Sequence, residues 1–154
     1  MTRVLFVCMG NICRSPTAEA VLREIARRES PGLVLEVDSA GTHGYHTGSP
    51  PDERSTLAAR RRGYDLRALR ARVVEPGDFG RFDLVIAMDE EVRDRLQEIV
   101  PQAHAARLAL FMEFAPALGR RDVPDPYYGG PAGFEDVLDL VEEGARGLLA
   151  ALAK

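Results

Sequence analysis

Arg3-Val-Leu-Phe-Val-Cys-Met-Gly-Asn-Ile-Cys-Arg-Ser-Pro16 is the stretch that decides the fold. Its first six residues are a near-continuous apolar run with β-branched members, the pattern of a strand buried on both faces of a parallel sheet. A loop follows from Met9 to Arg14. Ser15-Pro16 then reads as a helix start, with Ser as N-cap and Pro at the first helical position. Ala18, Val21, Leu22 and Ile25 recur at helical spacing, and Pro31-Gly32 ends that helix. Leu33 to Val37 reads as a second strand.

The alternation continues outward. Ser39 to Pro51 is a loop rich in Gly, Ser, Thr and Pro. Asp52 to Arg62 reads as a helix stopped by Gly63. Ala71 to Val74 reads as a short third strand. Leu84 to Met88 is a fourth, followed by Asp89 as N-cap of a helix carrying Val92, Leu96, Ile99 and Val100. Leu108 to Met112 fits a fifth strand or a helical segment equally well. Arg120 to Pro131, with three Pro and two Gly, must be loop. Phe134 to Leu152 carries the apolar stripe of a long C-terminal helix. This order predicts a three-layer, doubly wound α/β fold over residues 1–154. Its mostly parallel sheet has four strands, or five with Leu108–Met112, and helices on both faces. Ligands of such sheets sit beyond the carboxyl ends of the strands. The Cys8 loop, the Ser39 loop and Asp89 should therefore share one rim.

Composition narrows the function classes. The 154 residues fit one domain, 45% hydrophobic and 29% charged, which is globular. The net charge of −4 supplies no basic field, so nucleic acid is not an expected partner. No apolar run approaches the roughly 20 residues of a membrane helix, and Val4 to Val7 is too short for a signal-peptide core. Two cysteines exclude a disulfide scaffold. A cytoplasmic chain without membrane partners is expected. Lys154 is the only lysine among the 20 basic residues, and Asn11 is the only asparagine. Scarce Asn, Gln and Cys is a pattern of heat-stable proteins, yet both Cys and the one Asn are gathered within residues 8–13.

That gathering points to chemistry. Cys8 and Arg14 are separated by five residues, between a strand and a helix N-terminus. The N–H groups of Met9, Gly10, Asn11, Ile12, Cys13 and Arg14 can converge on an anion, and the helix dipole adds to the pull. Gly10 and Asn11 are the residues best able to take the positive φ that a cradle needs. Arg14 can fork two N–H groups onto phosphate oxygens. Cys8 faces the same positive field, which favours the thiolate, and Ser15 is placed to hydrogen-bond it. The spacing alone also fits a buried strand-end Cys and a surface Arg. The longer string, strand before and Ser-Pro after, favours a phosphate cradle with a sulfur nucleophile. Asp125, between Pro124 and Pro126 in a stiff loop, fits a carboxylic acid held over a cleft. It also fits a turn Asp capping its own backbone.

Val7-Cys-Met-Gly-Asn-Ile-Cys-Arg-Ser-Pro16 resembles the signature of the low-molecular-weight protein tyrosine phosphatases, and the likeness runs along essentially the whole chain. Asp38-Ser-Ala-Gly41, Gly48 to Asp52, Ala87-Met-Asp-Glu90 and Asp125-Pro-Tyr-Tyr-Gly-Gly130 resemble further segments of that family. The resemblance implies a metal-independent phosphatase acting on phosphotyrosine proteins or peptides. Cys8 would be the nucleophile, Arg14 the phosphate ligand and Asp125 the general acid and base. Ser39 would hold Asn11, and Tyr45, Tyr127 and Tyr128 would line the cleft mouth; the last two are also candidate phosphorylation sites. Phosphate and vanadate would compete with substrate. Cys13 would pair reversibly with Cys8 under peroxide, against the alternative of a small apolar filler. No cofactor is implied. His43-x-x-His46 is the only close His pair and lacks a third metal ligand nearby.

One departure stands out. Leu69 precedes Arg70-Ala-Arg72, where many relatives carry a His that supports the cradle. Arg60-Arg-Arg62 reads as a solvated helix end favoured by the dipole, with attraction of an acidic phosphopeptide as a second reading. Three rival functions remain. A related phosphoarginine branch tends to have Thr where Ile12 stands. An arsenate reductase would need a further Cys pair, and none follows Cys13. A non-catalytic phosphate-binding or redox-sensing module would have no use for Asp125.

Overall fold

A computed structural model describes residues 1–127 and 129–153. Four parallel strands form one sheet: β1 (Thr2–Cys8), β2 (Leu35–Gly41), β3 (Leu84–Ala87) and β4 (Leu108–Leu110), in the order β2-β1-β3-β4. β1 is central because its apolar run can be buried on both sides. Val4 and Phe6 join a core with α1 (Arg14–Glu29), α2 (Glu53–Arg61) and α5 (Pro131–Leu152). Leu5 and Val7 join a smaller core with α3 (Asp78–Arg81) and α4 (Glu90–Ile99). Period-two alternation thus builds three layers from one strand. The chain leaves β1 toward β2 and later returns to the other side as β3. The strand order therefore reverses at the C-terminal end of β1, where ligands of doubly wound sheets bind.

Several boundaries differ from expectation. β2 runs over Leu35–Gly41 rather than Leu33 to Val37, so Ser39 is a strand residue. Ala71 to Val74 is not a strand; it makes a single bridge, Gly41 with Val73. Its other backbone groups lace loops together: Ala71 N–H donates to the Ser49 carbonyl, and Arg72 N–H to Asn11 Oδ1. α1 begins at Arg14 with Cys13 at the N-cap position and no side-chain cap. Ser15 is not the cap because its hydroxyl turns to Cys8 instead. Pro16 falls inside the first turn, where a missing N–H goes unnoticed. Leu108 to Met112 divides, with β4 ending at Leu110 and a 3₁₀ turn covering Phe111–Phe114. Asp89 does cap α4, accepting from the Val92 N–H at 2.8 Å. No helix among the described residues is long and apolar enough to cross a membrane.

Candidate active site

The loop after β1 folds around the Cys8 sulfur. Asn11 N–H donates to Cys8 Sγ at 3.3 Å, and Ser15 Oγ lies 3.0 Å from the same sulfur. Asn11 Nδ2 donates to Ser15 Oγ at 2.8 Å, which leaves the hydroxyl proton free for the sulfur or for the Ala40 carbonyl 3.3 Å away. A thiolate draws that proton, because charge-assisted bonds are the stronger ones. Asn11 is the only non-glycine at positive φ among the described residues, at 57°. Gly10 does not share it. Its small size has another use, since a Cβ there would meet His46 Cδ2 at 3.1 Å. The N–H groups of Gly10, Ile12, Cys13 and Arg14 meet no acceptor in the protein among the described residues. Unpaired donors at a helix start are the arrangement that suits an anion.

Asn11 is tied on every side. Nδ2 also donates to Ser39 Oγ at 3.0 Å, and Oδ1 accepts from Arg72 N–H at 2.9 Å. Ser39 Oγ in turn donates to Glu19 Oε1 at 2.8 Å, and Arg23 clamps Glu19 Oε2 at 2.7 Å. Glu19 is only 3% exposed, and burial pushes its carboxyl above the usual range despite the pull of Ser39 and Arg23. Leu69, the departure noted in the sequence, packs against the core. The rigidity comes from the Ser39–Glu19–Arg23 chain, which the sequence reading missed. Glu19 lies on the buried face of α1, five residues past the Arg14 that begins it, and its charge on an apolar stripe was the available signal.

Arg14 is buried, and its guanidinium reaches two carboxylates. Nη1 donates to Asp89 Oδ2 at 2.5 Å and to the Val123 carbonyl at 3.0 Å; Nη2 lies 3.6 Å from Asp125 Oδ2. Burial works against this charge, but Cys8, Asp89 and Asp125 outweigh it and hold the guanidinium protonated above its ordinary range. Asp89 was expected only as a cap on the rim; it also orients Arg14. Asp125 uses its other oxygen to accept the Tyr127 N–H at 3.0 Å, so the turn role and the cleft-facing role coexist.

These groups meet at one cavity of 140 Å³, lined by the loop from Cys8 onward and by Tyr45, His46, Asp125 and Tyr127. Ser15 and Ser39 stand behind the cradle. Residues 3–154 match the family model of the low molecular weight phosphotyrosine protein phosphatases. The chain belongs to that family. A low molecular weight protein-tyrosine-phosphatase of Streptomyces coelicolor is 47% identical, with 97% of this chain and 93% of the relative covered. A protein tyrosine phosphatase of Entamoeba histolytica, with Hepes in its active site, superposes with a TM-score of 0.95 at 36% identity, covering 99% of this chain and 97% of that one. A Drosophila arginine phosphatase superposes at 0.91 with 27% identity, over 100% and 99% of the two chains.

In this phosphatase the rim is only partly as expected. Tyr45 is 75% exposed and stacks on His43, ring centroids 5.2 Å apart. Tyr127 borders the cavity, and His46, not anticipated there, faces it at 6.3 Å. Tyr128 lies outside the described residues. His43 Nδ1 is 2.8 Å from Thr42 Oγ1, and no cluster of three or more metal-ligating side chains occurs among the described residues. Cys8 and Cys13 are free thiols on one cavity. Burial pushes the Cys13 thiol up to about 12, against a hydrogen bond with Ser55.

Proposed function

We propose that the chain hydrolyses phosphotyrosine and aryl phosphate monoesters through a phosphocysteine on Cys8, with Asp125 as acid and then base. One observation carries the reading. The Cys8 sulfur, the unpaired N–H groups of its loop, the Arg14 guanidinium and the Asp125 carboxyl all face one small cavity. In the first step the sulfur attacks phosphorus, an S–P bond forms and the ester P–O bond breaks. Protonated Asp125 gives its proton to the leaving phenolate oxygen. The loop N–H groups and Arg14 hold the equatorial oxygens throughout. In the second step Asp125 takes a proton from water, whose oxygen attacks phosphorus. The S–P bond breaks, and phosphate and the Cys8 thiolate are released. Nothing in these steps calls on a metal.

Tyr45 and Tyr127 suit a flat phenyl group at the mouth, and apolar Ile12 in the loop favours phosphotyrosine. A phosphoarginine substrate is the second reading, favoured by the likeness to the arginine phosphatase. Cys13 is proposed as the partner of Cys8 in oxidation. Peroxide converts the Cys8 thiolate to a sulfenic acid, and the Cys13 sulfur displaces its oxygen as water to close a disulfide.

The test is hydrolysis of p-nitrophenyl phosphate with EDTA present. Wild type should turn over, with phosphate and vanadate competing. Cys8→Ser should be inactive, and Asp125→Asn should lose about 10²–10⁴-fold in kcat. Vanadate binding without turnover in folded, reduced wild type would leave a phosphate-binding module. Better turnover of a phosphoarginine peptide than of its phosphotyrosine counterpart would replace the substrate.

A further inference from the structure

Beside the catalytic cavity lies a second, larger groove of 430 Å³ between α2 and the start of α5. Its apolar walls include Leu57, Ala58, Pro131 and Phe134, and its cations are Arg54 and Arg61. Leu57 is 45% exposed, while Ser55, Ala58 and Ala59 are the buried side chains of α2. It therefore turns away from the core and toward the groove.

Arg54 lines the groove and, through the Tyr127 ring, reaches the edge of the cavity. Its guanidinium lies 5.3 Å from the centroid of the Tyr127 ring, which borders the cavity, and 4.7 Å from that of the Phe134 ring, which borders the groove. Two bonds to Asp52, at 3.2 and 3.0 Å, pin it there, and Asp52 is itself the cap of α2. With one guanidinium against both, the two rings are no more than about 10 Å apart, a span that an extended chain advancing about 3.3 Å per residue covers in at most about three residues.

Charge selects the occupant. Glu135, the one carboxylate on the groove, is paired with Arg62 at 2.8 Å, and Arg54 is paired with Asp52. Arg61 makes no ion pair among the described residues. The groove thus offers apolar walls and one uncommitted cation, a match for an apolar side chain next to a carboxylate.

We infer that this groove docks the segment flanking the phosphotyrosine of a protein substrate, taking an apolar residue about three positions away and an acidic residue beside it. The inference rests on the phosphotyrosine reading for what fills the cavity. Burying one leucine-sized side chain next to a paired charge corresponds to about ten-fold in affinity.

The test uses fluorescent peptides whose central residue is a non-hydrolysable phosphonate analogue of phosphotyrosine. Leu-Glu is placed at the third and fourth positions on one side, on the other side, or on neither. Binding is read by anisotropy, and turnover of p-nitrophenyl phosphate in parallel. Wild type should bind one of the two Leu-Glu peptides about ten-fold more tightly than the plain peptide. Leu57→Ser and Arg61→Glu should each cut that preference to about two-fold or less while keeping kcat/KM for p-nitrophenyl phosphate, a ligand too small to leave the cavity. Equal binding of all three peptides with turnover intact overturns the groove and spares the phosphatase reading. Preference without turnover does the reverse. A mass that doubles with concentration, together with no peptide preference, assigns the groove to a second copy of the chain and overturns the proposal.

Discussion

Asn11 shows how much a single residue can carry. It holds positive φ, donates its N–H to the Cys8 sulfur, and uses its amide to join Ser15, Ser39 and Arg72. Sequence alone pointed to it because it is the only asparagine and sits in the one loop dense with chemistry. Glu19 was missed although its charge lies beside the apolar stripe of α1, because a glutamate on a helix is ordinarily a solvated one. Only the approach of β2 to α1 shows that Ser39 donates to it. The same burial that hides Glu19 makes it titrate abnormally, with its carboxyl raised by desolvation. The native state therefore keeps this proton to higher pH than the unfolded chain does. Below the ordinary glutamate range both states are protonated, and its contribution to stability is fully present. As pH rises the unfolded chain releases its proton first, and the contribution is lost as pH passes through the raised native value. Glu19→Gln keeps an acceptor for Ser39 and removes the titration. Urea midpoints of the two proteins should diverge with rising pH, wild type losing ground to the variant. A gap that moves the opposite way would mean that Arg23 outweighs burial and holds Glu19 as the anion.

At the scale of elements, β1 and the turn after it were readable because one unbroken apolar run and one polar cluster say the same thing. β2 was read two residues early at its start and four early at its end. Asp38 and Ser39 look like loop residues, yet they belong to the strand, and Ser39 serves the cradle rather than the core. Residues 71–74 were misread for the converse reason: their β-branched pair resembles a strand, but their backbone groups are used to lace Gly41, Ser49 and Asn11. Gly41 is where these two misread segments meet. Its N–H donates to the Arg72 carbonyl at 2.8 Å, and its own carbonyl accepts from Val74 at 2.9 Å. A Cβ on Gly41 would lie 2.7 Å from the Met9 carbonyl oxygen and 3.1 Å from Asn11 Cβ. Both belong to the cradle, and a backbone oxygen cannot swing aside as a side-chain tip can. Gly41→Ala should lower stability by about 1–3 kcal/mol. By displacing the cradle it should also lower kcat for p-nitrophenyl phosphate by about ten- to a hundred-fold. Chemical denaturation and steady-state kinetics on the same preparation check both. A stable variant with full kcat would show that the loop tolerates the shift and that its geometry is looser than argued.

Across the whole molecule, the last helix completes the larger core that one face of the first strand enters. α5 was legible from its apolar stripe, but the need for two of its glycines, Gly144 and Gly147, was not, since mid-helix glycine ordinarily only costs stability. Both are needed where α5 crosses the 3₁₀ turn Phe111–Phe114. A Cβ at 144 would lie 2.3 Å from the Phe111 ring, and one at 147 would lie 1.7 Å from the Phe114 carbonyl oxygen. Phe111 in turn meets Phe6 edge to face, 5.8 Å between centroids, in the middle of the strand that ends at Cys8. Contacts near the C-terminus are thus one ring away from the strand that ends at Cys8. Alanine improves helix propensity over glycine by about 1 kcal/mol, which cannot offset an overlap with fixed backbone. Gly147→Ala should therefore destabilise the domain by about 3 kcal/mol or more, a fall in Tm of roughly 6–12 °C for a chain of this size. Gly32 supplies the contrast: a Cβ there meets nothing within 4 Å. Gly32→Ala should leave Tm unchanged or raise it slightly, through the smaller entropy of the unfolded chain. Thermal unfolding of the two variants beside wild type separates steric closure from propensity. Equal melting temperatures would mean that α5 can ride up on the Phe114 turn, and that its packing there does not depend on a bare backbone at 147.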